Sequence, residues 1–152
     1  MTVHAFQPAQ PLGGDGAALG RVLDRARVAR DSLVRVTGPA GLAAMIWLNR
    51  HGYIGAVYSH ASIVGKCREP ADVLLVPHAC GPKELADMLA TGECVRPDGL
   101  LIVQASGGDD LPGGYAGVLE DRGFAIEHVV ADRGRTVHVA RLAGVDGRLR
   151  AA

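Results

Sequence analysis

The hydrophobic positions along this 152-residue chain follow two different periods, and their order predicts the fold. Short runs rich in aliphatic residues are typical of strands, and they are separated by segments whose apolar residues recur every three or four positions, as on one face of a helix. Two of the runs, ADVLLVP (71–77) and GLLIVQA (99–105), are apolar almost throughout, which is typical of strands buried on both faces of a parallel sheet. Strands that alternate with helices predict an α/β fold with right-handed crossovers.

The predicted elements fill most of the chain between residues 15 and 142. The predicted strands are 33–38, 53–59, 71–77, 99–105, 124–131 and 135–142. The predicted helices lie within 15–32, 42–52, 82–92 and 113–123. The last two strands flank a DRG turn, so we expect them to form an antiparallel hairpin. We therefore predict a loose arm over 1–14, a single domain over 15–142 and a tail over 143–152.

The composition disfavours several classes of protein. A chain of this length is expected to form one domain with a core of its own. Its 16 basic and 16 acidic residues give a net charge of zero, so nothing attracts it generally to nucleic acid or to an anionic membrane. Three cysteines without a CxxC pair argue against a disulfide framework, and no apolar run approaches the roughly 18 residues of a membrane span. We expect a cytoplasmic protein without a nucleic-acid or membrane partner.

Four motifs, in this order, resemble the Rossmann-like fold of class I S-adenosylmethionine (SAM)-dependent methyltransferases. They are the glycine turn VTGPAGLA (36–43), ADVLLVPHACGPKELADML (71–89), VRPDGLLIVQ (95–104) and LEDRGFAIEHVVADRGRTVHVARL (119–142). The third is similar to the family's LKPGG turn and the strand that follows it. The resemblance covers residues 33–142 and implies a three-layer fold with a mainly parallel sheet and a terminal antiparallel hairpin. The first motif alone also resembles the GxGPAG turn of FAD-binding flavoproteins, an alternative that the other three motifs do not support.

The resemblance implies a SAM site at the glycine turn, where the absence of a Cβ lets a ligand approach the backbone. The cofactor-binding residues that it implies are Gly38, Ala40, Gly41, Tyr58 and Ser59. Ala40 stands where the family has the middle glycine of its GxGxG turn. Tyr58 or Ser59 stands where the family has a carboxylate that accepts hydrogen bonds from the ribose hydroxyls. Losing those charge-assisted bonds weakens the binding of SAM about ten- to a hundredfold. The turn therefore keeps two glycines but lacks most of the groups that hold SAM.

A short connection predicts a further departure from the family. Ten residues, ASIVGKCREP (61–70), link the second predicted strand to the third, too few for a crossover helix and another strand. We therefore expect the sheet to lack the family's third strand, which leaves the order 2-1-4-5-7-6 in the family's strand numbering. The second strand then becomes an edge of the sheet. Because exposed edges pair with other chains, we expect a homodimer that forms through that edge or through the N-terminal helix.

The segment VPHACGP (76–82) carries the candidate catalytic groups. His78 and Cys80 alternate by two, so both can face an acceptor site, with His78 as a general base near neutral pH and Cys80 as a nucleophile. The alternative is a turn that caps the next helix, with Cys80 half-buried. A metal site built from His60, Cys67, His78 and Cys80 is disfavoured, because zinc sites usually contain a closer ligand pair. We expect no metal.

Two functions from different classes remain open. One is SAM-dependent methyl transfer to a small acceptor molecule, a reaction that needs orientation more than acid–base help. The other is a methyltransferase-like fold without the cofactor, acting as an oligomeric binding or regulatory module. The missing ribose carboxylate and the short link favour the second function. The intact GPAG and RPDG turns favour the first.

Overall fold

The computed structural model describes residues 16–38, 40–58, 69–90, 95–105, 114–132 and 135–144. Its strands are β1 (Val34–Val36), β2 (Ala56–Tyr58), β3 (Ala71–Cys80), β4 (Val95–Ala105), β5 (Phe124–Asp132) and β6 (Arg135–Leu142). Its helices are α1 (Gly16–Arg25), α2 (Gly41–Arg50), α3 (Pro82–Ala90) and α4 (Gly114–Asp121). Within these ranges, no helix is long and apolar enough to cross a membrane.

The strands form one sheet in the order β2-β1-β3-β4-β6-β5. β1 lies parallel between β2 and β3, and β3 pairs in parallel with β4. β6 runs antiparallel to both β4 and β5. These pairings confirm the predicted α/β fold, its mainly parallel sheet, its closing hairpin and the predicted order of the strands that are described. The predicted loss of a third strand depends on residues 59–68, which lie outside the described residues.

Alternating strand residues divide the core into two layers. Val34, Val73 and Leu100 pack against α1 and α2, whereas Leu74 and Leu101 face the opposite way and pack against α3 and α4. Burying one such aliphatic side chain stabilises the fold by about 1.5–3 kcal/mol. Because helices cover both faces, β3 and β4 have to be apolar on both sides, which explains their nearly continuous hydrophobic runs.

β3 extends beyond its predicted end. It continues to Cys80 rather than stopping at residue 77, because an irregularity after Val76 lets the strand pair again with β4, Ala79 opposite Gln104. The alternative of a turn that caps the next helix is therefore wrong for residues 77–80. His78 lies inside the irregular part of a strand rather than in a loop.

β4 begins before its predicted start. Its first residue is Val95 rather than residue 99, because Ala71 pairs with Val95 and, after an irregularity, Val73 pairs with Leu100. The residues between these two pairs include Asp98, which has a left-handed backbone with a φ of 67°. The RPDG segment is thus part of the strand, as a bulge at its beginning.

α1 ends at Arg25, well before the end of the segment predicted to contain it. The Val28 N–H donates to Leu23 O at 3.0 Å and the Arg27 N–H donates to Asp24 O at 3.1 Å. These two bonds define a Schellman motif, in which the residue at the position of Arg27 is usually glycine. Arg27 adopts the left-handed conformation with a φ of 57°. The sequence carries no glycine there, so the helix end was not predicted.

The domain limits stay predictions. The predicted arm over 1–14 lies outside the described residues. So does the predicted tail, except for residues 143 and 144, which follow β6 without regular structure.

Candidate functional site

The glycine turn joins β1 to α2 at the carboxyl edge of the sheet, where open α/β sheets bind their ligands. The Thr37 N–H donates to Leu75 O at 3.1 Å, which ties the start of the turn to β3. Gly38 has a φ of 95°, and its carbonyl accepts the Gly41 N–H at 3.0 Å. Ala40 precedes α2 and makes no side-chain cap hydrogen bond. The strand–turn–helix arrangement predicted from the sequence is present.

The His78 imidazole occupies the space next to Gly38. A Cβ built on Gly38 would lie 2.3 Å from both Cε1 and Nδ1 of His78, closer than any real contact. His78 Nε2 lies 3.2 Å from Glu84 Oε1 of α3, and the His78 side chain is 14% exposed. The missing side chain of Gly38 therefore makes room for a histidine of the same chain, which a carboxylate orients.

The Tyr58 ring occupies the corresponding space next to Gly41. A Cβ on Gly41 would lie 2.6 Å from Tyr58 Cε2 and 3.3 Å from Val36 Cγ1. Tyr58 ends β2 and is 39% exposed, so its ring can turn towards solvent more easily than the His78 imidazole. Both spaces that the glycines leave open are filled by rings from neighbouring strands.

The spaces that the two glycines leave open are not free for SAM. In the family that the sequence resembles, the turn packs against the methionyl part of SAM, whereas here the spaces beside Gly38 and Gly41 hold the rings of His78 and Tyr58. The ribose position fits no better, because the three residues of β2 carry no carboxylate. SAM can enter the spaces beside Gly38 and Gly41 only if both rings move.

Buried polar groups without hydrogen-bond partners lie at the same edge of the sheet. Thr37 and Gln104 are each 0% exposed. Thr37 Oγ1, both amide atoms of Gln104 and His78 Nδ1 have no hydrogen-bond partner in the described part of the chain. Each such group costs about 1–3 kcal/mol when left unpaired, and in native proteins water or a ligand commonly supplies the bond. Thr37 and Gln104 were missed in the sequence, although each is a polar residue that closes an apolar run.

β1 also carries a buried cation. Arg35 is 8% exposed, lies opposite Val57 and Leu74 in the sheet, and has no hydrogen-bond partner for Nε or Nη1 among the residues described. Burial lowers the pKa of the Arg35 guanidinium, and the nearby Glu69 carboxylate partly opposes that change. Because arginine stays protonated in proteins, β1 places a fixed positive charge within the sheet.

Comparison with known proteins identifies the fold. No protein-family model and no curated protein matches the chain, but solved structures do. The chain is similar to the ribosomal protein L11 methylase from Lactobacillus delbrueckii subsp. bulgaricus, with a TM-score of 0.61 and 13% identity over 85% of this chain and 79% of that chain. It is similar to magnesium protoporphyrin IX methyltransferase (ChlM) from Synechocystis PCC 6803 with bound SAH, with a TM-score of 0.59 and 12% identity over 86% and 83% of the two chains.

A third similar structure is TrmN from Thermus thermophilus, with a TM-score of 0.50 and 17% identity. That match covers 82% of this chain and 48% of TrmN, so this chain spans about half the length of TrmN. The chain has the class I methyltransferase fold. At these identities the likeness defines the fold alone, because one fold carries many functions.

The methyltransferase fold brings part of the predicted site together. The predicted residues around the turn are Gly38, Ala40, Gly41, Tyr58 and His78. Ser59, His60 and Cys67 lie outside the described residues. Cys80 ends β3, but its side chain is also outside the described part, so the facing of His78 and Cys80 stays a prediction.

Proposed function

We propose that the protein is an oligomeric binding module with the methyltransferase fold, and that it does not hold SAM over its glycine turn. The observation that carries this proposal is the pair of rings, His78 against Gly38 and Tyr58 against Gly41. A ligand seated on the turn needs those two spaces. The absence of a carboxylate from the three residues of β2 supports the same conclusion.

SAM-dependent methyl transfer to a small acceptor is the second candidate function. The unpartnered atoms of Thr37 and Gln104 favour it, because a ligand at the carboxyl edge would supply hydrogen bonds that the chain lacks. ChlM, which is similar in fold, contains SAH. Methyl transfer requires both rings to leave the glycines. In that state His78 would be available to accept a proton from the acceptor.

Thermal unfolding in the presence of SAM separates the two functions. For the wild-type protein we expect no change in melting temperature with millimolar SAM or its demethylated product S-adenosylhomocysteine (SAH), because His78 and Tyr58 fill the turn. A ligand at 100 times its Kd adds about 2.7 kcal/mol of stability, so binding with a micromolar Kd would be clearly visible.

Two variants sharpen this measurement. The double variant His78→Ala/Tyr58→Ala opens the spaces at both glycines, and Val129→Ala, which trims a half-exposed side chain of β5, is the control. A rise in melting temperature confined to the double variant would support closure of the site by the two rings. A rise in the wild-type protein, together with conversion of SAM to SAH, would overturn the binding-module proposal in favour of methyl transfer.

A second copy of the chain is the partner that we propose for the β2 edge of the sheet. Five of the seven exposed large hydrophobic side chains within the described ranges lie in one segment: Leu42, Ile46, Ile54, Val57 and Tyr58. Clusters of this kind mark interaction surfaces. No charged residue occurs in 41–49 or 53–58. A twofold interface places a surface patch against its own copy, and none of these five side chains carries a charge that its copy would repel.

A further inference from the structure

A cleft opens at the amino-terminal edge of the sheet, at the other ends of the strands from the glycine turn. Its volume is about 780 Å³, within the roughly 300–1,000 Å³ of small-molecule sites. Val73 and Leu100, both buried, give it an apolar side. Its other walls come from the segment that follows α1, from the starts of β3 and β4, and from β5 and β6. The cleft is therefore separate from the crevice where this fold binds ligands at the carboxyl edge.

Two of the four arginines that line the cleft already have partners. Arg96 Nη1 lies 3.1 Å from Asp72 Oδ1. Arg141 forms an ion pair with Glu127 and donates from Nη1 to the Asp98 carbonyl at 2.6 Å. These bonds fix the walls of the cleft and leave these two guanidinium groups largely neutralised.

The other two arginines, Arg25 and Arg27, make no ion pair within the described part of the chain. The same holds for the carboxylates of Asp31 and Asp98, which line the cleft as well. The cleft thus presents two cations and two anions that are not neutralised by one another. A complementary ligand carries an oxyanion for the arginines and hydroxyl or amino groups for the carboxylates.

Backbone strain points to the same cleft. Arg27 and Asp98 are the two non-glycine residues with positive φ among those described, at 57° and 67°. Arg27 occupies the Schellman position that glycine usually takes, and Asp98 stands where the LKPGG turn has its first glycine. A glycine would relieve the strain at each position, and strained residues that persist cluster at ligand-binding sites. Two distant segments place their strained, charged residues in one cleft.

We propose that this cleft binds a small organic molecule that carries a phosphate or carboxylate group together with hydroxyl groups. Arg25 and Arg27 hold the oxyanion. Asp98 and Asp31 accept hydrogen bonds from the hydroxyl groups, and the apolar side formed by Val73 and Leu100 covers the carbon skeleton. This site allows the proposed binding module to hold a ligand without using the glycine turn.

Isothermal titration calorimetry with glycerol 3-phosphate and with malate tests the proposal, with sodium chloride at equal ionic strength as the reference. We expect saturable binding of at least one of the two probes, and the comparison distinguishes phosphate from carboxylate. Arg27→Gly should raise Kd at least tenfold, because it removes a charge-assisted bond. Its melting temperature should equal or exceed that of the wild-type protein, because glycine suits the left-handed backbone.

The matched control is Arg50→Gln, which changes an exposed arginine at the end of α2 outside the cleft and should leave Kd unchanged. Absence of saturable binding of both probes to the wild-type protein would overturn the proposal, as would an Arg27→Gly variant that binds like the wild type. Neither result bears on SAM, because the cleft lies at the opposite edge of the sheet from the glycine turn.

Discussion

Replacing Gly38 with alanine is expected to lower the free energy of unfolding by about 2–4 kcal/mol. Two costs combine at this position. The backbone has a φ of 95°, which a side chain rarely tolerates, and the new Cβ would lie 2.3 Å from the His78 ring. The His78 side chain is 14% exposed and has little room to withdraw. Urea unfolding of the variant and the wild-type protein measures the difference.

The part due to His78 is separable by a double-mutant cycle. In a His78→Ala background the clash disappears and backbone strain remains, so Gly38→Ala should cost about 1–2 kcal/mol. Gly41→Ala is a matched control, because the Tyr58 ring beside it is 39% exposed and can turn away; we expect a cost of about 1 kcal/mol or less. Equal costs of Gly38→Ala in both backgrounds would contradict the packing of His78 on this glycine.

Replacing Ile54 with lysine is expected to dissociate the proposed homodimer. Ile54 is 82% exposed, so the change should leave the stability of the monomer nearly unaltered, within about 0.5 kcal/mol. A twofold interface contains the substituted residue twice. Each unpaired lysine charge loses its hydration when the interface forms, which costs free energy. A dimer dissociation constant raised at least about a hundredfold is the expected result, measured by analytical ultracentrifugation.

Val129→Lys is the control for this substitution. Val129 is 54% exposed and lies on β5, at the far edge of the sheet from β2, so we expect the dimer to persist. A wild-type protein that stays monomeric at high micromolar concentration would rule out the β2 interface. So would a dimer that tolerates Ile54→Lys as well as it tolerates Val129→Lys.

The elements were predictable because local signals mark them, whereas the order of the strands was predicted from the resemblance to class I methyltransferases. Apolar runs, glycines and short turns mark each element within a few residues. The ends of β3 and β4 were not predictable in this way. Each of these ends depends on pairing between residues more than twenty positions apart, Ala79 with Gln104 and Ala71 with Val95. Each pairing also depends on an irregularity in the strand that no turn residue marks in the sequence.

The location of the site was predictable from the sequence, but its side-chain contacts were not. Gly38 and Gly41 are visible in the sequence, but the sequence does not show that His78, forty positions after Gly38, fills the space above it. Thr37 and Gln104 could have been found, since a polar residue closing an apolar run is an available signal. Arg27 could not, because its left-handed backbone contradicts the usual preference for glycine at that position.

A crystal structure of the protein grown with saturating SAH tests most directly whether the glycine turn is closed. We expect the His78 imidazole against Gly38 and the Tyr58 ring against Gly41, with no nucleotide over residues 38–41. SAH seated on that turn, with both rings turned away, would contradict the proposal that the chain keeps the methyltransferase fold without its cofactor.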